Sequence, residues 1–284
     1  MSLRTRFNAD SPLILPGVYD GLSAQVATQQ GADAVYVSGS SVAASIGALP
    51  DVGLLTMSEL LDRIRAIAGT VDVPVVADAD TGYGNALNVR RTVREYERAG
   101  VSAIQLEDQR FPKKCGHFDG KAVIEPEEFV RKIAAATDAR RNDETLIIAR
   151  TDAIATESVE EATDRANMYR DAGADVLFVE APRTRDEMER VIEAVPGTHI
   201  ANLTYGGETP LVPPTELGKI GYDAVLYPAT AVKGAIHTFE TVYETVLSGD
   251  GIDPIVDTLA GWEKRNAVTG LDEIYDLENR YGLE

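Results

Sequence analysis

The sequence predicts an α/β chain folded as a (β/α)8 barrel of the TIM type. Two observations carry that expectation. One phrase recurs, a glycine that follows a helix and opens a short apolar run closed by polar residues: GADAVYVSG from Gly31, GVSAIQLED from Gly100, GADVLFVE from Gly173 and GYDAVLYP from Gly221. Counting the related runs between them, eight apolar runs alternate with helical stretches, at the spacing of about 30 residues that a βα unit takes. The 284 residues cover the roughly 250 of such a barrel and leave a remainder.

The elements follow in order. The first run is Leu13–Val18, and the phrases from Gly31, Gly100, Gly173 and Gly221 supply four more. The rest are 74–80 (PVVADAD), 145–152 (TLIIARTD) and 198–204 (THIANLT). Each is rich in β-branched residues and too short for a helix, as strands buried on both faces of a parallel sheet require. The glycine of the phrase reads as a helix C-cap, where positive φ is needed. Helices are expected at Met57–Ala68, 85–99, 125–139, 158–172 and 185–195. Thr56 with Glu59, Ser158 with Glu161 and Thr184 with Glu187 give three of them N-terminal cap signals. The competing architecture, an open doubly wound sheet, wants a glycine-rich loop after the first strand. The chain there reads Tyr19-Asp20-Gly21-Leu22-Ser23, which has none. Residues 1–230 are thus assigned to the barrel and 231–284 to a helical C-terminal segment. In the helix expected at 231–248, Val232, Ile236, Phe239, Val242 and Val246 fall on one apolar face.

Composition narrows the function classes. With 44% apolar and 26% charged residues the chain is globular rather than disordered. The sole cysteine, Cys115, excludes an intramolecular disulfide and fits a reducing compartment. The stretch MSLRTRFNAD lacks the apolar centre of a signal peptide, and no apolar run reaches the roughly 18 residues of a membrane span. The expectation is a soluble cytoplasmic protein. A net charge of −19 repels nucleic acid and anionic lipid, so neither is expected as a partner. Seven lysines stand against twenty arginines. An acidic, lysine-poor surface suits a high-salt cytoplasm, where screening removes self-repulsion.

In a barrel the active site lies at the C-terminal ends of the strands. Those ends carry Tyr36, Ser38, Gly39 and Ser40; Asp78 and Asp80; Glu107 and Asp108; Arg150 and Asp152; Glu180; Asn202 and Thr204. Asp78 and Asp80 alternate with Ala79, which on a strand points both carboxylates the same way. They repel unless a cation lies between them. With Glu107 and Glu180 the ligand set is all oxygen, which favours Mg²⁺ or Mn²⁺ over zinc. A single aspartate at 80 could instead cap the helix near Asn85. The string KKCGHFDGK from Lys113 to Lys121 holds Cys115 beside Lys114 and His117, neighbours that make a thiol acidic and reactive. Gly116 and Gly120 would let the segment bend over a ligand.

These motifs resemble the isocitrate lyase/phosphoenolpyruvate mutase superfamily, and within it the short methylisocitrate lyase-like branch. The resemblance spans nearly the whole chain. It is carried by Tyr36-Val-Ser-Gly39, Leu49-Pro-Asp-Val-Gly53, Asp78-Ala-Asp-Thr-Gly-Tyr-Gly84, Glu107-Asp-Gln109, Lys113-Lys-Cys-Gly-His117, Ala149-Arg-Thr-Asp152, Asn202-Leu-Thr204 and Leu226-Tyr-Pro228. The cysteine string marks the carbon–carbon lyase side. The resemblance implies a modified barrel whose eighth helix is exchanged between subunits, usually in a homotetramer. It implies a Mg²⁺ site at Asp78 and Asp80 with Asp51, Glu107 and Glu180 nearby, and a small carboxylate substrate. Ser38, Gly39 and Ser40 would hold the 2-oxo acid half, Arg150 and Gly116 would contact substrate, and Asn202 and Thr204 would hold the distal carboxylate. Cys115 would be the proton donor.

The chemistry expected is cleavage of a 2-hydroxy di- or tricarboxylate by a retro-Claisen-type step. Tyr36 is the candidate base for the hydroxyl proton, and Arg150 stabilises the developing enolate. Three departures fall where the variable half of the substrate should lie. Ser38-Gly39-Ser40 replaces Ser-Gly-Gly, Tyr205-Gly-Gly207 follows Thr204, and Lys233 stands where an arginine is usual. Isocitrate, methylisocitrate, an alkylmalate and oxaloacetate all remain open as substrates. The alternatives are an oxaloacetate hydrolase and a phosphonate-forming (carboxy)phosphoenolpyruvate mutase.

Overall fold

The computed structural model describes every residue except Met1, Asn8, Asp10, His117, Asp119 and Glu284. Its eight strands are β1 (Leu13–Val18), β2 (Val35–Val37), β3 (Val75–Asp78), β4 (Ala103–Glu107), β5 (Leu146–Thr151), β6 (Val176–Val179), β7 (Ile200–Asn202) and β8 (Ala224–Tyr227). They pair in parallel in the order β6-β5-β4-β3-β2-β1-β8-β7. The remaining gap, β6 to β7, is spanned by a parallel bridge between Leu177 and His199. The result is a nearly closed barrel, as the repeated phrase predicts. Its glycine takes the conformation that the phrase requires: φ is +91° at Gly100 and +107° at Gly173.

Helix α1 (Leu3–Phe7) precedes β1, and α2 (Gly21–Gln29), α3 (Gly39–Gly47) and α4 (Met57–Ala68) precede β3. Then come α5 (Ala86–Arg98), α6 (Pro126–Ala139), α7 (Ala153–Thr156), α8 (Val159–Asp171), α9 (Arg185–Ala194) and α10 (Pro214–Ile220). The cap signals hold: the side chains of Thr56, Ser158 and Thr184 accept from the backbone N–H of Glu59, Glu161 and Glu187. Two apolar layers form the core. Leu15, Tyr36, Ile148, Phe178 and Leu226 fill the barrel, while Leu60, Ile64, Val93, Ile133 and Tyr169 pack between strands and outer helices. Leu3 and Phe7 of α1 join the inner layer and plug the N-terminal mouth. One turn of helix has no periodicity to read, so α1 is invisible in the sequence pattern.

After β8 the chain is helical: α11 (Thr230–Ser248), a 3₁₀ turn at Asp253–Thr258, α12 (Trp262–Thr269) and α13 (Leu271–Tyr281). No residue of α11 is buried, and Ile236, Phe239, Tyr243 and Val246 are at least half exposed. A groove of about 600 Å³ meanwhile runs along the outside of β1, lined by Leu13, Ile14, Pro16 and Ala27. Among the described residues no helix is long and apolar enough to cross a membrane.

Candidate active site

The strand ends converge as expected, but not all by the geometry that the sequence suggests. Strand β3 stops at Asp78, and Asp80 lies beyond it with φ +44°. The two carboxylates are therefore not aligned by strand pleating. The chain turns, and the Asp80 N–H donates to Asp78 Oδ1 at 3.0 Å. A left-handed non-glycine residue is uncommon and clusters at functional sites. The capping alternative fails too, because Asn85 itself caps α5. The backbone N–H of Gly39 reaches Asp78 Oδ2 at 3.3 Å.

Lys113 ties this cluster together. Its Nζ lies 2.5 Å from Asp51 Oδ1 and 2.9 Å from Asp80 Oδ1, and the side chain is buried. Burial alone would lower its pKa; Asp80, Asp51, Glu107 and Asp78 together raise it well above the ordinary lysine value. Burial, then Asp80, pushes Asp78 up to about 6. Burial likewise holds Glu107 well above the carboxylate range, against the pull of Arg150 and Lys113.

These residues fit a divalent cation held through few direct ligands. Four buried or half-buried carboxylates, Asp51, Asp78, Asp80 and Glu107, face one ammonium, and Glu107 Oε1 is buried without a hydrogen-bond partner. That is an excess of negative charge and an unsatisfied acceptor. Among the described residues, however, no three His, Cys, Asp or Glu side chains converge as a ready-made ligand cage. Mg²⁺, which keeps waters and binds through one or two carboxylates plus substrate oxygens, matches that donor set.

Arg150 closes the opposite wall from the end of β5. It makes a bidentate fork to Asp152, Nε to Oδ2 at 2.9 Å and Nη2 to Oδ1 at 3.0 Å. Glu107 lies at 3.5 Å and Glu180 at 3.4 Å, and the guanidinium sits 5.0 Å from the centre of the Phe178 ring. The Asn202 amide donates to both oxygens of Glu180 at 3.2 and 3.1 Å. Glu180 thus lies across Arg150 rather than beside Lys113.

Between these walls is a cavity of about 60 Å³, lined by Tyr36, Ser38, Ser40, Asp51, Asp78, Lys113, Cys115, Gly116, Arg150, Asn202, Thr204, Leu226, Pro228 and Ala229. Ser38 caps α3, whose N-terminus opens here with Gly39 and Ser40, a natural seat for a carboxylate. The Ser38 and Ser40 hydroxyls are 3.0 Å apart. Gly116 packs so closely that a Cβ would meet Arg150 Nη2 at 2.5 Å. Half-buried Cys115 donates its N–H to the Asp51 carbonyl at 3.0 Å. The Tyr36 hydroxyl donates to Gln105 Oε1 at 3.0 Å, and burial, then Asp78, pushes its pKa well up. That direction suits a hydrogen-bond donor, not the base expected from the sequence.

Of the expected residues, Gly39, Asp80, Glu107 and Glu180 are not in the cavity lining itself, and Lys114 and Lys233 point elsewhere. Lys114 turns its ammonium toward Gly120 of its own loop. Lys233 is exposed and donates to the Tyr205 carbonyl at 2.6 Å. His117 lies outside the described residues. Sequence reasoning missed Lys113 as the inward lysine of its pair, and it gave no partner to Arg150. Asp152, two residues on, was the available signal.

The family described as phosphoenolpyruvate phosphomutase matches residues 3–247. A 2,3-dimethylmalate lyase of Eubacterium barkeri is 43% identical over 98% of this chain and 96% of its own. A 2-methylisocitrate lyase of Aeropyrum pernix is 44% identical over 87% of this chain and 79% of its own. The crystal structure of phosphonopyruvate hydrolase in complex with oxalate and Mg²⁺ superposes with a TM-score of 0.88 at 33% identity, covering 98% of this chain and 97% of the other.

Proposed function

The chain belongs to the phosphoenolpyruvate mutase/isocitrate lyase superfamily, and on that premise we propose that it is a Mg²⁺-dependent carbon–carbon lyase of the methylisocitrate lyase-like branch. Its substrate is a 2-hydroxy di- or tricarboxylate, cleaved to a 2-oxo acid and a second carboxylate. The observation that carries the reading is the meeting of Cys115, Arg150 and Asp78 on one small cavity.

Each residue then has a task. Asp78, with Asp80 and Glu107 behind it, would hold Mg²⁺, which when bound polarises the hydroxyl and carboxylate of the substrate. The α3 N-terminus with Ser38, Gly39 and Ser40 seats the carboxylate of the 2-oxo acid half. The substrate's hydroxyl proton would pass to a carboxylate of the Asp78, Asp80 and Glu107 cluster, and Tyr36 would turn its one proton from Gln105 Oε1 to the carbonyl oxygen that forms. Arg150, held by Asp152, places a fixed positive charge where the enolate develops, so no reorganisation is needed during the reaction. Asn202 and Thr204 face the distal carboxylate. The Cys115 thiol gives its proton to the carbanion, and the loop that carries it excludes water.

Self-association belongs to the same reading. The exposed apolar face of α11 and the uncovered groove on β1 are complementary in kind, which supports helix exchange within a homotetramer. The second reading, phosphonate chemistry, draws on the phosphonopyruvate hydrolase likeness; an oxaloacetate hydrolase would use the same loop. A substrate panel with Mg²⁺, assayed for glyoxylate, pyruvate, oxalate and phosphonate products, separates the three. Phosphonate turnover without cleavage of any hydroxy acid would overturn the lyase proposal.

A further inference from the structure

Gln109 has no part in the chemistry above, yet it is 1% exposed and both ends of its amide serve one residue of the cysteine loop. Its Nε2 donates to the Lys114 carbonyl at 2.8 Å, and its Oε1 accepts the Lys114 N–H at 2.9 Å. This fork fixes its own orientation, since exchanging O and N would set like against like on both sides. Its mount is rigid. The Gln109 backbone bridges antiparallel to Val123, and the Ile124 N–H donates to the Asp108 carbonyl at 2.9 Å. The buried Asp108 carboxylate accepts from Thr151 Oγ1 at 2.7 Å, the Tyr169 hydroxyl at 2.8 Å and the Asp152 N–H at 3.0 Å. The fork thus stands on the strand ends that position Arg150 and grips the residue next to Cys115.

We propose that Gln109 is a positioning residue that holds the span from Lys113 to Gly116 over the cavity, so that the Cys115 thiol is set against the substrate. The span has no regular secondary structure of its own, so its placement depends on such side-chain holds. The effect on rate rests on the lyase proposal; the effect on the thiol does not.

Two variants test it. Gln109→Ala removes both bonds. Gln109→Glu keeps the shape and the acceptor for the Lys114 N–H but turns an oxygen toward the Lys114 carbonyl. The readouts are the rate of Cys115 alkylation by iodoacetamide, with and without Mg²⁺ and oxalate, then kcat, KM and melting temperature. Losing two net hydrogen bonds shifts the held state by about 30-fold. Alkylation should therefore rise about 10- to 30-fold in both variants, and Mg²⁺ with oxalate should protect less. On the best substrate kcat, corrected for the folded fraction, should fall by a similar factor with KM within about threefold. Should Gln109→Ala fail to fold, Gln109→Glu decides alone. Alkylation within twofold of the parent rate in the folded variants overturns the proposal, as does a lowered melting temperature with kcat and alkylation unchanged. If no hydroxy acid is cleaved by the parent enzyme, the lyase reading falls and the alkylation result still decides on Gln109.

Discussion

Adding one methyl group at Gly116 should disable the enzyme without unfolding it. A Cβ there would lie 2.5 Å from Arg150 Nη2 and 2.9 Å from Cγ and Cδ of Glu180. Carbon contacts settle at about 3.5–4.0 Å, so the methyl is roughly 1 Å too close. The neighbours cannot yield. Arg150 is forked onto Asp152, whose N–H is bound to Asp108, and Glu180 is held by the Asn202 amide. Gly116 is not among the residues with positive φ, so alanine fits the backbone and the contact alone decides. The loop must retreat by about 1 Å and take Cys115 with it. A misplacement of that size costs on the order of 10²-fold in rate, or about 2.7 kcal/mol in barrier. Steady-state kinetics of Gly116→Ala on the best hydroxy acid should show that loss in kcat. The melting temperature should move by no more than a few degrees, because the residue packs in a loop and not in the apolar core. A variant that folds normally and keeps kcat within threefold of the parent refutes the close-packing argument.

The other expectations are simpler. Excess EDTA should abolish turnover and Mg²⁺ should restore it, with Asp78→Ala mimicking the metal-depleted enzyme; full activity in EDTA ends the metal-assisted reading. Cys115→Ser should lose about 10²–10⁴-fold in kcat, the scale of a missing general acid, while substrate affinity changes little; a variant within twofold of wild type would remove the proton-donor assignment. Light scattering should show an oligomer, and charge at Ile236 or Phe239, both at least half exposed on α11, should shift it toward monomer; a stable parent monomer at micromolar concentration contradicts helix exchange. With a net charge of −19, thermal stability should rise from low to molar KCl; an unchanged melting temperature removes the high-salt explanation of the composition.

The barrel was legible because its signals are local. A glycine C-cap, a β-branched run and a polar strand end repeat often enough to be counted, and the capping residues Thr56, Ser158 and Thr184 mark helix starts within a residue. The site was legible at the level of residue types. Carboxylates, a cysteine and an arginine at successive strand ends do meet. What pattern reading could not supply was direction. Strand alternation brought Asp78 and Asp80 together for the wrong reason, since a left-handed turn at Asp80 does the work. Lys113 and Lys114 are equivalent on paper, and tertiary packing alone sends one into the carboxylate cluster and the other toward Gly120. Nor does any local rule reveal that the phenol of Tyr36, buried beside Asp78, resists ionisation.

The plug formed by Leu3 and Phe7, with the apolar side chains stacked above it, gives the barrel a single doorway. Whatever enters at the C-terminal end must also leave there, and a cleavage reaction sends two molecules out for each one admitted. The Cys115 loop stands in that doorway. A permanent seal would therefore trap products as well as exclude water, and on the proposed reading turnover could be no faster than the loop's release. Two neutral hydrogen bonds from Gln109, each worth about 1 kcal/mol net, suit such traffic. They would favour the shut position by about 30-fold and still break in every cycle, so that the chain beyond Lys113 could open while its buried ion pairs to Asp51 and Asp80 stay made.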